Sequence, residues 1–362
     1  MKILISGGGT GGHINPGIAI AKYFREMQPD CEILFVGTTH GLEGELIPKA
    51  GFDIKFIEVS GFKRKLCADT FKTVQKMFKG YYQSKKILKE FKPDAVIGTG
   101  GYVCGPVVYA ASRLGIKTFV HEQNVIPGVT VKILARFSDI VFTSFSETDK
   151  YLDKKNLVLS GNPIFGDILK FNRDDARKNL GFDERPLILA YGGSLGAMKI
   201  NDAVCDFLAK TASQGKYQLM LATGKREFER VSEKLGTVAE FPNLRIVPYI
   251  YNMGECMAAA DIVISRSGAM TVSELSAVGK SAILIPSPNV AHNHQEFNAR
   301  SLEKVGAALV LPESELSGDS LSDAINSLIE KPDEIKIMAE NSKKAGITNA
   351  TEIIYNTVMN TL

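Results

Sequence analysis

Three short glycine runs hold the residues most able to do chemistry: Gly7-Gly8-Gly9-Thr10-Gly11-Gly12, Gly98-Thr99-Gly100-Gly101-Tyr102 and Gly192-Gly193-Ser194-Leu195-Gly196-Ala197. Each follows an aliphatic run. Backbone without side chains lets N–H groups and a helix N-terminus come close to an anion, so these runs suit phosphate or diphosphate binding. The first also matches the Gly-x-Gly-x-x-Gly dinucleotide fingerprint. A nicotinamide or flavin dinucleotide would further need an acidic residue at the end of the next strand, to hold a ribose. That strand ends Phe35-Val36-Gly37-Thr38-Thr39, with no carboxylate. His13 follows the first run directly, ahead of Asn15-Pro16. An imidazole titrates near neutrality, so His13 suits a general base at the rim of the site; a local hydrogen bond near a helix start explains it equally well.

A fourth segment, Arg266-Ser267-Gly268-Ala269-Met270-Thr271-Val272-Ser273-Glu274, follows another aliphatic run. Thr271 and Glu274 have the spacing of a capping box. Alternatively, Glu274 accepts two hydrogen bonds from the vicinal hydroxyls of a ribose. Arg266 sits by phosphates or pairs with a local acid. His292 and His294 lie two apart and would face different ways on a helix, and there is no Asp-x-Asp pair to hold a metal against a nucleotide diphosphate. The expectation is a reaction without metal or cofactor.

These segments need elements to position them. Short strand-like runs, apolar on both faces, lie at 2–6, 32–36, 94–97, 118–121, 140–143, 157–159, 187–191, 218–222, 244–248, 261–265 and 282–286, with helical patterns such as 16–25 and 201–212 between them. Doubly apolar short strands alternating with amphipathic helices predict buried parallel sheets of the doubly wound α/β class. The strand–glycine–helix opening occurs twice, at Lys2 and at Leu187, so two Rossmann-like domains are expected, joined near Ser160-Gly161-Asn162-Pro163. The last stretch, Ala350–Leu362, reads as a terminal helix.

The 362 residues are 44 % apolar and 23 % charged, with a net charge of +3. That excludes a disordered chain and gives no global reason to expect nucleic acid. Five scattered cysteines without a C-x-x-C pair fit a reducing compartment. No apolar run reaches the ~18 residues of a membrane span, and Met1–Gly7 is too short for a signal-peptide core. One region stands apart. From Lys63 to Lys92 ten Lys/Arg face two acids, a local net charge of +8. Phe71, Val74, Met77, Phe78, Tyr81 and Leu88 are interleaved near helical spacing. Such a helix either packs its stripe on the core or rests on anionic lipid.

Together, Gly8–Ala19, Gly98-Thr99-Gly100-Gly101-Tyr102, His121-Glu122-Gln123-Asn124, Gly192-Gly193-Ser194, Ser265–Glu274 and Asn293-His294-Gln295-Glu296, in that order over nearly the whole chain, resemble the MurG family. The resemblance implies a GT-B fold, two Rossmann-like doubly wound domains facing a cleft. It implies transfer of GlcNAc from UDP-GlcNAc to lipid I, giving lipid II in peptidoglycan synthesis; the alternative is another GT-B enzyme acting on a UDP-sugar, such as a lipid glycosyltransferase or a UDP-GlcNAc 2-epimerase. Residues 1–163 would form the acceptor domain, with helix 345–362 packing back on it, and 164–344 the UDP-GlcNAc domain. Ile250 would lie beside uracil; Ser194, Arg266 and Ala269, Met270, Thr271, Val272, Ser273 and Glu274 around diphosphate and ribose; Gln295 and Asn124 on GlcNAc hydroxyls. Thr10, Gly11 and Gly12 would line the transferred sugar, and Gly98, Thr99, Gly100, Gly101 and Tyr102 the acceptor diphosphate. His13 would be the base, with Glu122 as second candidate. The Lys63–Lys92 region resembles the family's membrane-facing patch, at the cytoplasmic face of the cell membrane. The chain departs from common members at Phe165, Leu195 and Glu296, where Arg, Gln and Gln are frequent.

Overall fold

The computed structural model describes residues 1–61, 69–152, 156–193 and 195–362. They divide into two units: Met1–Ile164 with Thr348–Leu362, and Phe165–Ile347.

The first unit carries a seven-stranded sheet of β1 (Lys2–Ser6), β2 (Glu32–Gly37), β3 (Asp53–Phe56), β4 (Ala95–Gly98), β5 (Lys117–Glu122), β6 (Ile140–Thr143) and β7 (Leu157–Leu159). Its order is β3-β2-β1-β4-β5-β6-β7, and every pairing is parallel. The central strands are buried on both faces, as β1 shows with Ile3, Leu4 and Ile5 fully enclosed, which is why they read as unbroken aliphatic runs. Two apolar layers cover the sheet. One includes Leu4, Val96 and Val120; the other includes Ile3, Ile5, Phe119 and Phe142. The terminal helix Ala350–Thr361 belongs to the second layer through Ile354 and Val358. Its Tyr355 ring packs edge-on to Phe24 at 5.0 Å between centroids and takes a hydrogen bond from Gln28.

The second unit repeats the plan with β8 (Leu187–Tyr191), β9 (Gln218–Ala222), β10 (Leu244–Val247), β11 (Ile262–Ser265), β12 (Ser281–Leu284) and β13 (Ala308–Val310), in the all-parallel order β10-β9-β8-β11-β12-β13. The doubly wound class holds in both units. Two strands lie outside the sequence expectation, β3 and β13, and both are sheet edges. The first is short, with Asp53, Lys55 and Phe56 exposed; the second is three residues long. Neither has the doubly buried pattern of central strands such as β1 and β8. Behind β11, Arg177 is fully buried, donating to the carbonyls of Ala259, Asp183 and Arg185 and pairing with Asp261 at 2.5 Å. This cluster ties the strand starts together, at the end away from the glycine runs.

Candidate active site

In both sheets the strand order reverses between two neighbours, β1/β4 and β8/β11. Loops leaving the carboxyl ends of such a pair diverge to opposite faces and open a crevice for a ligand. All four segments singled out by sequence leave these strands: Gly7–Gly12 after β1, Gly98–Tyr102 after β4, Gly192–Ala197 after β8 and Arg266–Glu274 after β11.

In the first unit, the helix Gly11–Met27 starts from Thr10, whose side chain makes no capping bond. The first-turn amides therefore have no side-chain cap of their own. The loops after β1 and β4 are joined: the Thr99 hydroxyl donates to the His13 carbonyl at 2.7 Å, and the Thr99 amide to the Ser6 carbonyl at 2.8 Å. Gly100 has φ +99°, and a Cβ there would lie 2.7 Å from His13 Nδ1. Only glycine both adopts that backbone and admits the imidazole.

His13 Nδ1 lies 3.0 Å from Gln123 Oε1. The Gln123 amide nitrogen donates to the Thr99 carbonyl at 2.8 Å and lies 2.9 Å from His121 Nδ1. His121 is fully buried, its Nε2 3.0 Å from the Gly161 carbonyl, and burial pushes its pKa down to about 4. In the sequence, His121 and Gln123 are marked only as members of the His121-Glu122-Gln123-Asn124 motif.

Two buried carboxylates shape this unit. Glu122 ends β5. One oxygen accepts from the Asn124 amide at 2.9 Å and from Asn124 Nδ2 at 3.1 Å, and the other accepts from the Gly128 amide at 2.9 Å. Burial raises its pKa against these bonds. Both oxygens thus hold the loop after β5, and the Asn124 amide group is turned toward them. The second carboxylate, Glu43, was not anticipated. It is fully buried and accepts from the Thr38 hydroxyl at 2.7 Å, the Thr38 amide at 3.0 Å and the Gly9 amide at 3.1 Å. Burial alone would raise its pKa, but these bonds outweigh it and leave the carboxyl below its ordinary value. The acid absent from the end of β2 therefore arrives six residues after the strand, and it binds the glycine loop instead of a ribose.

In the second unit, Gly196 has φ +79° and packs so closely that a Cβ would lie 2.2 Å from the Thr223 carbonyl oxygen. The helix Met198–Thr211 then begins at Ala197 without a side-chain cap. After β11, the helix Ala269–Val278 starts from Gly268, again without a side-chain cap. Thr271 is its third residue and Glu274 its sixth, so the capping box suggested by their spacing does not form. Glu274 is half-buried, and burial raises its pKa to about 7. Burial and the nearby Glu274 carboxylate both raise the pKa of the Tyr191 hydroxyl at the end of β8. Among the described residues Glu274 has no hydrogen-bond partner.

Arg266 pairs with Glu313 and donates to the Ile285 carbonyl at 3.1 Å. Gln295, in the first turn of the helix His294–Lys304, accepts the Ser287 amide on Oε1 at 2.8 Å, which directs its NH2 group elsewhere. The residues leading into that helix, His292 and Asn293, have φ of 53° and 51°. Left-handed backbone at two successive non-glycine residues is strained, and such strain concentrates at ligand-binding segments. Ile250 is buried, between Tyr249 and a largely exposed Tyr251. Ser194 lies outside the described residues.

The basic stretch forms the helix Asp69–Phe91; Lys63, Arg64 and Lys65 lie outside the described residues. Its apolar stripe is divided. Ile87 and Leu88 are buried, whereas Met77, Phe78 and Tyr82 are exposed. A chain of ring contacts runs from Tyr81 to Tyr109 at 5.8 Å and from Tyr109 to Phe137 at 5.1 Å. It carries the exposed apolar surface onto the helices Gly101–Arg113 and Val129–Leu134, where Val129 and Ile133 are also exposed. Lys76, Lys79, Arg113 and Lys132 are exposed on the same three helices, and Arg136 just beyond the third. Among the described residues, no helix is long and apolar enough to cross a membrane.

Two family models match the chain: the glycosyltransferase family 28 N-terminal domain over residues 3–143 and the family 28 C-terminal domain over 187–354. The chain belongs to glycosyltransferase family 28. It is 51 % identical over 360 residues, 99 % of this chain and 97 % of the relative, to the UDP-N-acetylglucosamine–N-acetylmuramyl-(pentapeptide) pyrophosphoryl-undecaprenol N-acetylglucosamine transferase of Acetivibrio thermocellus. It is 46 % identical to the protein of the same name from Ruminiclostridium cellulolyticum, with 99 % of each covered. Among solved structures it resembles the MurG of Acinetobacter baumannii, with a TM-score of 0.81, 28 % identity and 99 % of both chains covered. It also superposes on a UDP-GlcNAc 2-epimerase from Neisseria meningitidis with a TM-score of 0.70 over 99 % of this chain and all of that one, at 13 % identity, a likeness of fold alone. This family 28 chain is thus a glycosyltransferase of the MurG group.

Proposed function

We propose that the chain transfers GlcNAc from UDP-GlcNAc to the C4 hydroxyl of MurNAc in undecaprenyl-pyrophosphoryl-MurNAc-pentapeptide by one inverting displacement, with His13 as general base. The observation that carries the donor side is Glu274: a carboxylate held without a partner, its pKa raised to about 7, in the first turns of an uncapped helix at a switch point. A vicinal diol supplies the two hydrogen bonds this carboxylate lacks. Diphosphate then meets the starts of the Ala269–Val278 and Met198–Thr211 helices, joined by Ser194. The family resemblance supports Ile250 at uracil and Gln295, with Asn124, at the sugar. Arg266, braced by Glu313, flanks the Ala269–Glu274 segment.

On the acceptor side, Thr10, Gly11 and Gly12 offer the uncapped start of a helix, and Gly98–Tyr102 the adjoining loop. The C4 oxygen bonds to C1 of GlcNAc as the bond from C1 to the β-phosphate oxygen breaks. The hydroxyl proton passes to His13 Nε2, and the bonding pair leaves on UDP. Charge growing on the β-phosphate is stabilised by amide dipoles fixed before the reaction begins, which favours the transition state over the ground state. Glu122, with both oxygens engaged by loop donors, serves as scaffold in this scheme. The exposed apolar and basic surface of the first unit supports a peripheral seat on anionic lipid, where the acceptor resides. The test is incubation with UDP-GlcNAc and a lipid I analogue, with EDTA in place of added metal. A β-linked disaccharide and UDP are expected. Epimerised or free sugar without acceptor would refute the assignment.

A further inference from the structure

The hydrogen bonds around His13 determine more than its position. Carbonyl oxygens only accept, and the Gln123 amide nitrogen lies 2.8 Å from the Thr99 carbonyl and 3.2 Å from the His121 carbonyl. The NH2 end of Gln123 must therefore face those groups, and Oε1 must face His13. The His121 ring is constrained in the same way. Its Nε2 lies 3.0 Å from the Gly161 carbonyl and must donate, so Nδ1 carries the lone pair that accepts from Gln123 at 2.9 Å. Each assignment fixes the next, and the series ends at His13. Facing an oxygen 3.0 Å away, its Nδ1 must carry the proton, which puts the lone pair of the neutral ring on Nε2.

We propose that His121 and Gln123 are positioning residues of the transferase: a buried relay from the Gly161 carbonyl through His121 and Gln123 holds His13 as the Nδ1–H tautomer, with Nε2 as its basic atom. The inference rests on His13 being the base. Gln123 then does with a neutral amide what a buried carboxylate does in other catalytic histidine sites: it fixes ring orientation and tautomer. The neutral amide has a chemical consequence. A carboxylate would hold the proton on His13 after transfer, whereas an amide stabilises the imidazolium less and lets the base reset at neutral pH. His121 completes the relay only while it is neutral, since a proton on its Nδ1 would oppose the Gln123 NH2 group. Its full burial keeps it neutral.

The experiment uses the full chain labelled with ¹⁵N at its five histidines, with the His13 signals assigned from their loss in His13→Gln. Long-range ¹H–¹⁵N correlations distinguish the two neutral tautomers directly. Expected are Nδ1–H for His13 and Nε2–H for His121. In Gln123→Met, the His13 pattern should shift toward Nε2–H, and kcat with a lipid I analogue should fall at least tenfold while UDP affinity stays within twofold. In Gln123→Glu, a charged acceptor stabilises the imidazolium, so the acidic limb of the kcat/KM profile should move to higher pH; a glutamine that only filled space would leave that limb in place. An Nε2–H tautomer for His13 in the unmodified protein, or a Gln123→Met variant with kcat within twofold, would overturn the relay. Undiminished turnover in His13→Ala with the tautomers as expected would instead remove His13 as the base and leave the hydrogen-bond pattern standing.

Discussion

The two switch points share one strand plan but treat their acids in opposite ways. In the first unit, Glu43 and Glu122 are both buried and both engaged, and between them they accept from the Gly9, Thr38, Asn124 and Gly128 amides. At β8/β11, Glu274 is enclosed enough to titrate near 7 and has no partner among the described residues. The packing beneath the first glycine loop of each unit differs too. Glu43 fills the space under Gly9, whereas Gly196 sits directly on Thr223 and Gly224, followed in sequence by Lys225 and Arg226. The buried acids of the first unit are fully engaged; the acid of the second leaves hydrogen-bonding capacity that a ligand would complete. Substitutions in the first should therefore act on turnover or folding, and those in the second on nucleotide affinity.

The largest effect is expected at His13. His13→Ala should lower kcat at saturating UDP-GlcNAc by 10²–10⁴-fold, the usual contribution of a positioned base, while UDP titration stays within twofold. A loss under about tenfold would remove the imidazole from the chemistry. Next comes Glu274→Gln. UDP affinity should fall at least tenfold, yet the ligand-free protein should become more stable. The folded-state pKa of about 7 lies above the ordinary value of 4.5, so the folded protein binds the extra proton between those values and loses stability as pH rises through that window. Glutamine removes the penalty, and its melting temperature should exceed that of the parent increasingly from pH 5 to pH 8. A lower melting temperature at pH 8 would restore a capping role. In unmodified protein, UDP affinity should weaken as pH falls below about 7, because the protonated acid accepts poorly from a diol.

Glu122→Gln should show the opposite pattern. Its NH2 group would face an amide donor at Asn124 or Gly128. Leaving a buried donor unsatisfied costs about 1–3 kcal/mol, which should appear as a fall of several degrees in melting temperature with UDP affinity unchanged. Equal loss of UDP affinity would break the comparison between the two units. The smallest effect belongs to the lipid surface. Co-sedimentation with liposomes should need anionic lipid and weaken with salt. Lys76→Glu with Arg136→Glu should lower partitioning by about 1 kcal/mol per charge removed; indifference to lipid charge would refute the membrane seat.

The sequence shows this plan unevenly, for physical reasons. Strands buried on both faces, such as Leu187–Tyr191, announce themselves as aliphatic runs, whereas the edge strand Asp53–Phe56 alternates exposed Asp53 and Lys55 with its apolar residues and carries no such mark. Glycines reveal where backbone comes close, but not what it comes close to. Glu43 stayed hidden because its partner, Gly9, lies 34 residues away in sequence. Thr271 and Glu274 had the spacing of a cap, but the helix starts at the glycine before them, so spacing alone could not separate a local role from a ligand role. The basic stripe read as one helix; its exposed apolar face spans three, joined by Tyr109 and Phe137. Gln123 was legible only as a neighbour of Glu122, since its role depends on orientation.

A crystal structure of the full chain with UDP bound shows whether Glu274 is the acceptor for the ribose hydroxyls. Both ribose hydroxyls should lie within hydrogen-bond distance of the Glu274 carboxylate, with the diphosphate against the amides that open the Ala269–Val278 helix. A nucleotide whose ribose sits elsewhere, with Glu274 still lacking a partner, would contradict that role.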